Sequence, residues 1–423
     1  MPSIKAFAPL RYNPSEIPDL GAVIAPPYDV ISDDRRRQLL ERDPHNIIRL
    51  ILPEGTDDAR YAGAAALLDE WQRSGVLVRE SGESLYLYTQ AFDHPVTGER
   101  ITRHGFLARV RLSPFSDGEI LPHERTLSGP KADRLKLMQA TNANLEPIFG
   151  VYRDPSNVSA RRLEELTQQP PLIDATDADG VQHRVWRVTG ADAEAFAQDL
   201  RSSTIFIVDG HHRYETALNY RGQSNGADRP VDSIMMFLAP MGDPGLVILP
   251  THRVVHSLAS FDFDALLERL GEHFTITDVT SDDAGLAMLD EHRSTPSYLL
   301  VAGPRMAVVS LKPGTEPSSI VDASLPESVQ ELDVTILHEH ILEHILGISK
   351  EAQASQTNLR YVKSAEDAFA EARRPDVQLV ALMNATRLEQ VERVAQSGHV
   401  MPQKSTYFYP KLASGLLINP LWE

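Results

Sequence analysis

The sequence predicts a mixed α/β fold, on three observations. Apolar runs of strand length alternate with stretches of helical periodicity, the pattern of α/β and α+β proteins. Hydrophobic residues make up 42% of the 423 positions. That is ample for a buried core, in two or three domains or one large elaborated one. Charged residues make up 24%, the share of an ordinary globular chain rather than a disordered one.

The elements follow in order. Residues 4–32 are punctuated by proline, with Ala25-Pro26-Pro27-Tyr28-Asp29 in the middle. Proline drives its predecessor out of the helical region, so extended chain and turns are expected. Tyr61, Ala64, Leu67, Leu68 and Trp71 recur at helical spacing and predict a helix over 58–75. Ser84 to Phe92 and Ile101 to Leu112 read as strands around the hairpin turn 94–100. Residues 130–142 read as a helix and 145–152 as a short strand. The stretch 154–200 combines a polar helix, the Pro170-Pro171 break and a strand at 181–188, and reads as an elaboration of the scaffold. Ser203 to Val208 is a buried strand, and a helix begins over 214–220. Apolar strands follow at 233–238 and 246–249. Residues 257–330 alternate helix and strand. Beyond Leu332 come a helix, a strand at 377–383, a helix at 387–396 and a strand at 406–409.

Composition excludes several functions. There is no cysteine, hence no disulfide, thiol nucleophile or cysteine metal site. Lys+Arg number 41 against 59 Asp+Glu, a formal charge of −18. That disfavours nucleic acid as a partner, because phosphate contacts over a broad surface need a basic face. No apolar run approaches the ~18 residues that span a bilayer. Met1-Pro2-Ser3-Ile4-Lys5 begins no signal peptide. The expected location is therefore cytoplasmic, without a membrane partner. Only eight basic residues are lysines, and four of them (Lys131, Lys136, Lys404, Lys411) fall in two short segments.

Four constellations bear on chemistry. In the strongest, the apolar strand ending at Val208 runs into Asp209-Gly210-His211-His212-Arg213 and then a helix. Glycine permits a sharp turn and close ligand approach. The helix start offers N–H groups and a positive dipole end to an anion. Arg213 has the fork to grip phosphate, and His211 and His212 can donate to it. Asp209 is placed to orient a metal or a reacting hydroxyl. The second is His123-Glu124-Arg125 with Arg134 downstream. Glu124 is a general-base candidate, although the segment alone reads as a charged surface helix start. The third, Gln403-Lys404-Ser405-Thr406, lacks the glycines of a Walker motif, leaving Lys404 at a strand edge. The fourth, His340-Ile341-Leu342-Glu343-His344, matches an inverted zinc-protease motif. Leu337, Ile341 and Ile345 on the same helix read as core. Thr251-His252-Arg253 lies just after a strand, where α/β sites often form.

The chain resembles the prokaryotic domain-of-unknown-function family 1015 along essentially its whole length. The matching segments are Ala25 to Val30, His123 to Met138, Phe206 to Leu218, Pro250 to Val255 and Met401 to Gly415, in that order. The Asp209–Arg213 turn also resembles the phosphate-binding turn of the ParB/sulfiredoxin superfamily. Within it, the likeness is to the archaeal free-serine kinases, which carry an Asp-Gly-His-His-Arg turn and an upstream Pro-His-Glu whose glutamate acts in catalysis. Pro122-His123-Glu124 is similar to that segment. Here the separation between the two motifs is longer than in the kinases, so 154–200 would be an insertion. Sulfiredoxin chemistry needs a cysteine in the turn. ParB proteins use an arginine-rich turn and bind DNA.

The resemblance implies a ParB/sulfiredoxin-like nucleotide-binding core over 121–256. Around it stand a β-rich N-terminal region at 1–120, an α/β elaboration at 257–330 and a C-terminal α/β segment at 331–423. It implies a small-molecule kinase that uses Mg2+ and ATP or ADP to phosphorylate a hydroxyl, with free L-serine the first acceptor to try. Gly210, His211, His212 and Arg213 would hold the phosphate, Asp209 would position Mg2+ or the hydroxyl, and Glu124 would take the proton. His123, Arg125, Arg134, Arg253 and Lys404 would add contacts. Two other readings stand beside it: a nucleotide-binding regulatory protein without turnover, and a zinc hydrolase using His340 and His344. The expected partners are a small molecule and a nucleotide; the oligomeric state is left open.

Overall fold

The computed structural model describes residues 1–124, 126, 128–223 and 229–422. The chain is mixed α/β and divides into two compact units. The first comprises Met1–Pro122, Thr126–Val247 and Pro410–Glu423; the second comprises His123–Arg125 and Ile248–Tyr409. Among the described residues, no helix is long and apolar enough to cross a membrane.

The first unit is built on a nine-stranded sheet. Its strands are β1 (Ile4–Lys5), β2 (Leu85–Asp93), β3 (Arg100–Arg111), β4 (Ile120–Leu121), β5 (Ile148–Tyr152), β6 (Ile173–Thr176), β7 (Gln182–Val188), β8 (Ile205–Asp209) and β9 (Ser233–Pro240). Their order is β4-β8-β5-β9-β3-β2-β7-β6, with β1 on β3. β8 runs parallel to β4, and β9 parallel to β5; the other pairings are antiparallel. β5, β8 and β9 are buried along their whole length, which is why they read as unbroken apolar runs rather than alternating ones. The 154–200 elaboration joins this same sheet, because β6 and β7 extend it beyond β2.

Three helices matter for the site: α1 (Ala59–Arg73), α2 (Ser128–Thr141) and α3 (His211–Gly222). α1 buries Tyr61, Ala64, Leu68 and Trp71, one stripe at three- and four-residue spacing. α1 meets α2 where the Tyr61 hydroxyl and Arg60 Nη2 both donate to Asp133 Oδ1 at 2.7 Å. α2 meets α3 through Lys131 Nζ, 2.7 Å from Glu215 Oε2. Residues 410–421 return to this unit, and Leu421 joins the core that β5, β8 and β9 build.

The second unit holds an antiparallel six-stranded sheet. Its strands are β10 (His252–His256), β11 (Phe274–Val279), β12 (Ser297–Ala302), β13 (Arg305–Leu311), β14 (Leu359–Val362) and β15 (Val377–Met383), in the order β11-β13-β12-β15-β10-β14. Along β15, Leu379, Ala381 and Met383 enter one core while Val380 and Leu382 enter the other. The two-residue period of a strand thus divides one apolar run between two faces. The helix expected after Leu332 is a short α-helix, Asp333–Ile336, running into a π-helix, Leu337–Ile345.

Burial pushes the Asp333 carboxyl up to about 7. The folded state therefore holds a proton that the unfolded chain releases near pH ~4. Its stabilising contribution is complete below that pH and is lost as pH rises toward 7. Asp333→Asn is expected to gain on the parent chain by roughly 2–4 kcal/mol between acid and neutral pH. Denaturant titrations of both proteins at several pH values check this; a constant difference would refute it.

Candidate active site at the Gly210 turn

The turn is made where β8 ends. The β8–β5 register shifts between Ile207 and Asp209, a bulge of the kind that re-aims a side chain. Gly210 follows at φ 89° and ψ 24°, left-handed backbone that side-chain-bearing residues rarely adopt. A Cβ at this position would lie 3.0 Å from both Arg213 Nη2 and Ile148 Cδ1. α3 then starts at His211, and its N-cap residue, Gly210, has no side chain to cap it. Such a start directs backbone N–H groups and the positive end of the helix dipole beyond the helix.

Asp209 is buried. Its Oδ2 accepts from Arg213 Nη2 at 2.6 Å, and its Oδ1 pairs with the Lys411 ammonium. Burial acts to raise its pKa. The charges of Lys411 and Arg213 overcome this and hold the carboxyl well below the usual range. Arg213 Nη1 donates to the Pro147 carbonyl at 2.6 Å. Buried Glu146 adjoins this cluster. Its Oε1 accepts from the Tyr28 N–H at 3.0 Å and the Ser414 hydroxyl at 3.3 Å. Its Oε2 lies 3.8 Å from Arg134 Nη1. Burial raises the Glu146 pKa, against the pull of Arg213 and Arg134. Arg134 lies over the Tyr28 ring at 4.1 Å and donates to the Ile51 carbonyl at 2.7 Å. Arg134, Asn144, Glu146 and Arg213 help line a cavity of about 40 Å³, room for a water but not for a nucleotide.

Of the residues expected at a site, Asp209, Gly210, His211, His212, Arg213 and Arg134 lie in the first unit. Arg213 differs from the expectation in one respect. Its side chain is 7% exposed, and both Nη atoms face Asp209 and Pro147. Its physical role is to fix the turn. His123, Glu124, Arg253 and Lys404 lie in the second unit. Glu124 Oε1 accepts the Lys404 backbone N–H at 2.7 Å. Arg253 Nη2 donates to the Lys404 carbonyl at 3.1 Å, and its Nε to His338 Nε2 at 3.0 Å. Burial pulls the Arg253 pKa down to about 10. His123 Nε2 is 2.8 Å from the Thr406 hydroxyl. Arg125 lies outside the described residues.

Two metal expectations fail on geometry. Mg2+ takes one or two carboxylates with phosphate oxygens and water. Both Asp209 oxygens instead face cations, so these residues do not fit Mg2+ at Asp209. The zinc reading fails as well. Among the described residues, no group of three His, Asp or Glu side chains converges to hold a metal. The His340 and His344 rings stack on each other at 5.8 Å, and His340 also stacks on Phe274 at 6.0 Å. Burial, then His273 and His344, draw the His340 pKa down to about 4.

Lys411 and Glu146 complete the cluster and were not among the expected site residues. The concentration of scarce lysines in the C-terminal segment was a signal for Lys411. A lone acid in the run Leu145-Glu146-Pro147-Ile148 was one for Glu146.

Together, fold and turn define a mixed α/β protein with a strand–glycine–helix turn, its buried carboxylate held between two cations. The chain belongs to the family described as protein of unknown function, DUF1015, whose profile matches residues 4–335. No curated protein matches it significantly. Among solved structures it is similar to a free serine kinase in complex with AMP, at 13% identity and a TM-score of 0.37, covering 74% of this chain and 92% of that one. It is similar to a conserved hypothetical protein from Pyrococcus furiosus, at 14% identity and a TM-score of 0.35, covering 74% and 95%. It is also similar to SbnI with C-terminal truncation from Staphylococcus aureus, at 12% identity and a TM-score of 0.34, covering 74% and 87%.

Proposed function

We propose that the chain is a nucleotide-dependent phosphotransferase acting on a small hydroxyl compound, with phosphate held at the Gly210 turn and L-serine the first acceptor to try. The observation that carries this proposal is left-handed Gly210, which joins a buried strand end to a helix start and has no side chain of its own to cap it. That arrangement favours an anion through the helix dipole and its N–H groups. The Asp-Gly-His-His-Arg sequence at the same place, similar to that of the free-serine kinases, supports it. Lys411 adds positive charge beside the turn, and Arg213 fixes its shape. Phosphoryl transfer depends mainly on positioning and charge neutralisation, which such a turn supplies for the donor. Glu124, whose carboxylate accepts the Lys404 N–H, has no part in this proposal.

One observation favours a second reading, nucleotide sensing without turnover. Asp209 has both oxygens engaged by cations, so in this arrangement it is not a free base. Phosphorus NMR with Mg2+, ATP or ADP and a panel of hydroxyl metabolites led by L-serine separates the two. A new phosphomonoester signal is expected. Unchanged nucleotide that nevertheless binds by calorimetry would favour the sensor. No binding of either nucleotide would refute both.

A further inference from the structure

The first unit contains a larger cavity, of about 390 Å³, within the range of small-molecule sites. It shares no lining residue with the Gly210 cluster. Lys5, Arg79, Arg109 and Arg229 line it, and Glu83 is the acidic residue among the described ones that do. The chain as a whole carries a formal charge of −18, so four cations around one cavity run against its general balance.

The sheet register places two of these cations side by side. Where β1 pairs with β3, Lys5 stands opposite Arg109 and Ile4 opposite Val110. Residues directly opposite each other share a face of the sheet. Ile4 and Val110 enter the core, so Lys5 and Arg109 lie together on the other face. Like charges directly opposite each other destabilise a sheet, unless an anion offsets them. Glu83 does so in part: its Oε1 accepts from Arg109 Nη2 at 2.8 Å. The Glu83 side chain is 62% exposed, and water weakens such a pair. Arg229 Nη2 lies 3.3 Å from Asp232 Oδ1. Arg79 ends the short strand Leu77–Arg79 and is exposed. Among the described residues, no carboxylate lies within ion-pair reach of Arg79. Four cations against these two carboxylates leave the cavity positive among the described residues. Trp422, partly buried against the neighbouring core, supplies an apolar wall.

The geometry points to a binding site for a small polyanion, a molecule that carries two or more phosphate or carboxylate groups. The guanidinium fork grips either group. The four cations come from separate segments of the chain, which suits several anionic groups better than one. This site is independent of the phosphate placed at the Gly210 turn, and the two stand or fall separately.

The test uses the full chain, with pyrophosphate and citrate as probes and acetate and spermidine as comparators. Calorimetry reads affinity, and NMR of the tryptophan indole N–H groups reads location. The chain has three tryptophans, and Trp422→Phe assigns the Trp422 signal. At least one of the two polyanions is expected to bind more tightly than acetate or spermidine and to shift that signal. Tighter binding of pyrophosphate would name phosphate as the recognised group, and tighter binding of citrate would name carboxylate. Added salt should weaken the binding. Arg79→Gln should weaken it about tenfold, as loss of one charged hydrogen bond does. The same variant should melt at the parent temperature, because the side chain is exposed and makes no ion pair among the described residues. Lys5→Gln, a second exposed position, should weaken the binding too. The site is overturned if neither polyanion shifts the Trp422 signal, or if Arg79→Gln and Lys5→Gln both leave the affinity unchanged.

Discussion

Replacing Asp209 with alanine is expected to destabilise the first unit by about 3–5 kcal/mol, the effect of breaking a buried ion pair by removing one partner. The Asp209 carboxylate sits between the Lys411 ammonium and the Arg213 guanidinium. Without it, two cations remain close together in a largely buried cluster, where water solvates them poorly. The loss should therefore exceed that of the contacts alone. Asp209→Ala combined with Lys411→Met should recover part of the stability, because taking out both partners leaves less uncompensated charge. The folded-state pKa of Asp209 is depressed. Its contribution is thus present above the unfolded value near ~4 and fades as pH falls below it. Asp209→Ala should lie well below the parent at neutral pH and approach it in acid. Denaturant melts of the three proteins at neutral and acidic pH measure both effects. An Asp209→Ala protein as stable as the parent at neutral pH would show that the cluster contributes nothing.

Gly210→Val is expected to cost about 2–6 kcal/mol and to abolish nucleotide binding. Two independent penalties add. The first is backbone strain of about 1–3 kcal/mol, because a β-branched residue is forced to hold φ 89°. The second is overpacking of about 1–3 kcal/mol. The new Cβ would meet Arg213 Nη2 and Ile148 Cδ1 at 3.0 Å, and neither can retreat freely. Arg213 is held by Asp209 and Pro147, and Ile148 is fully buried. Relief would require α3 to begin elsewhere, which moves the N–H groups on which the proposed phosphate site rests. Calorimetry with ATP and ADP, alongside a thermal melt, reads both consequences. A folded Gly210→Val protein with parental nucleotide affinity would remove the phosphate site from this turn.

Much of the local structure was legible because it is written in short-range pattern. The stripe Tyr61, Ala64, Leu68, Trp71 gives α1. The apolar run ending at Val208 gives β8, although the strand includes Asp209 and α3 begins at once with His211 rather than at Tyr214. The π-helix at Leu337–Ile345 was not legible: its apolar spacing is close to that of an ordinary helix, and a four-residue histidine repeat fits both. The zinc expectation rested on that spacing. It failed because a metal needs ligands from elsewhere in the chain, and although the His273 ring meets that of His340 at 5.4 Å, no three such side chains converge to hold a metal among the described residues.

The sequence by itself determined the class of fold, the strand–glycine–helix turn and the absence of cysteine chemistry. These follow from residue type and near-neighbour spacing, where backbone sterics and hydrophobic periodicity act directly. Only the tertiary structure decided what the charged residues do. Asp209 and Arg213 are four residues apart, but Lys411, which completes the cluster, is 202 positions away from Asp209. Glu146 reaches Tyr28 across 118 positions. An ion pair is fixed by distance and burial, which the sequence does not encode locally. So the residue types of a phosphate grip could be read from the chain, while the engagement of Arg213 and Asp209 with each other and with Lys411 could not.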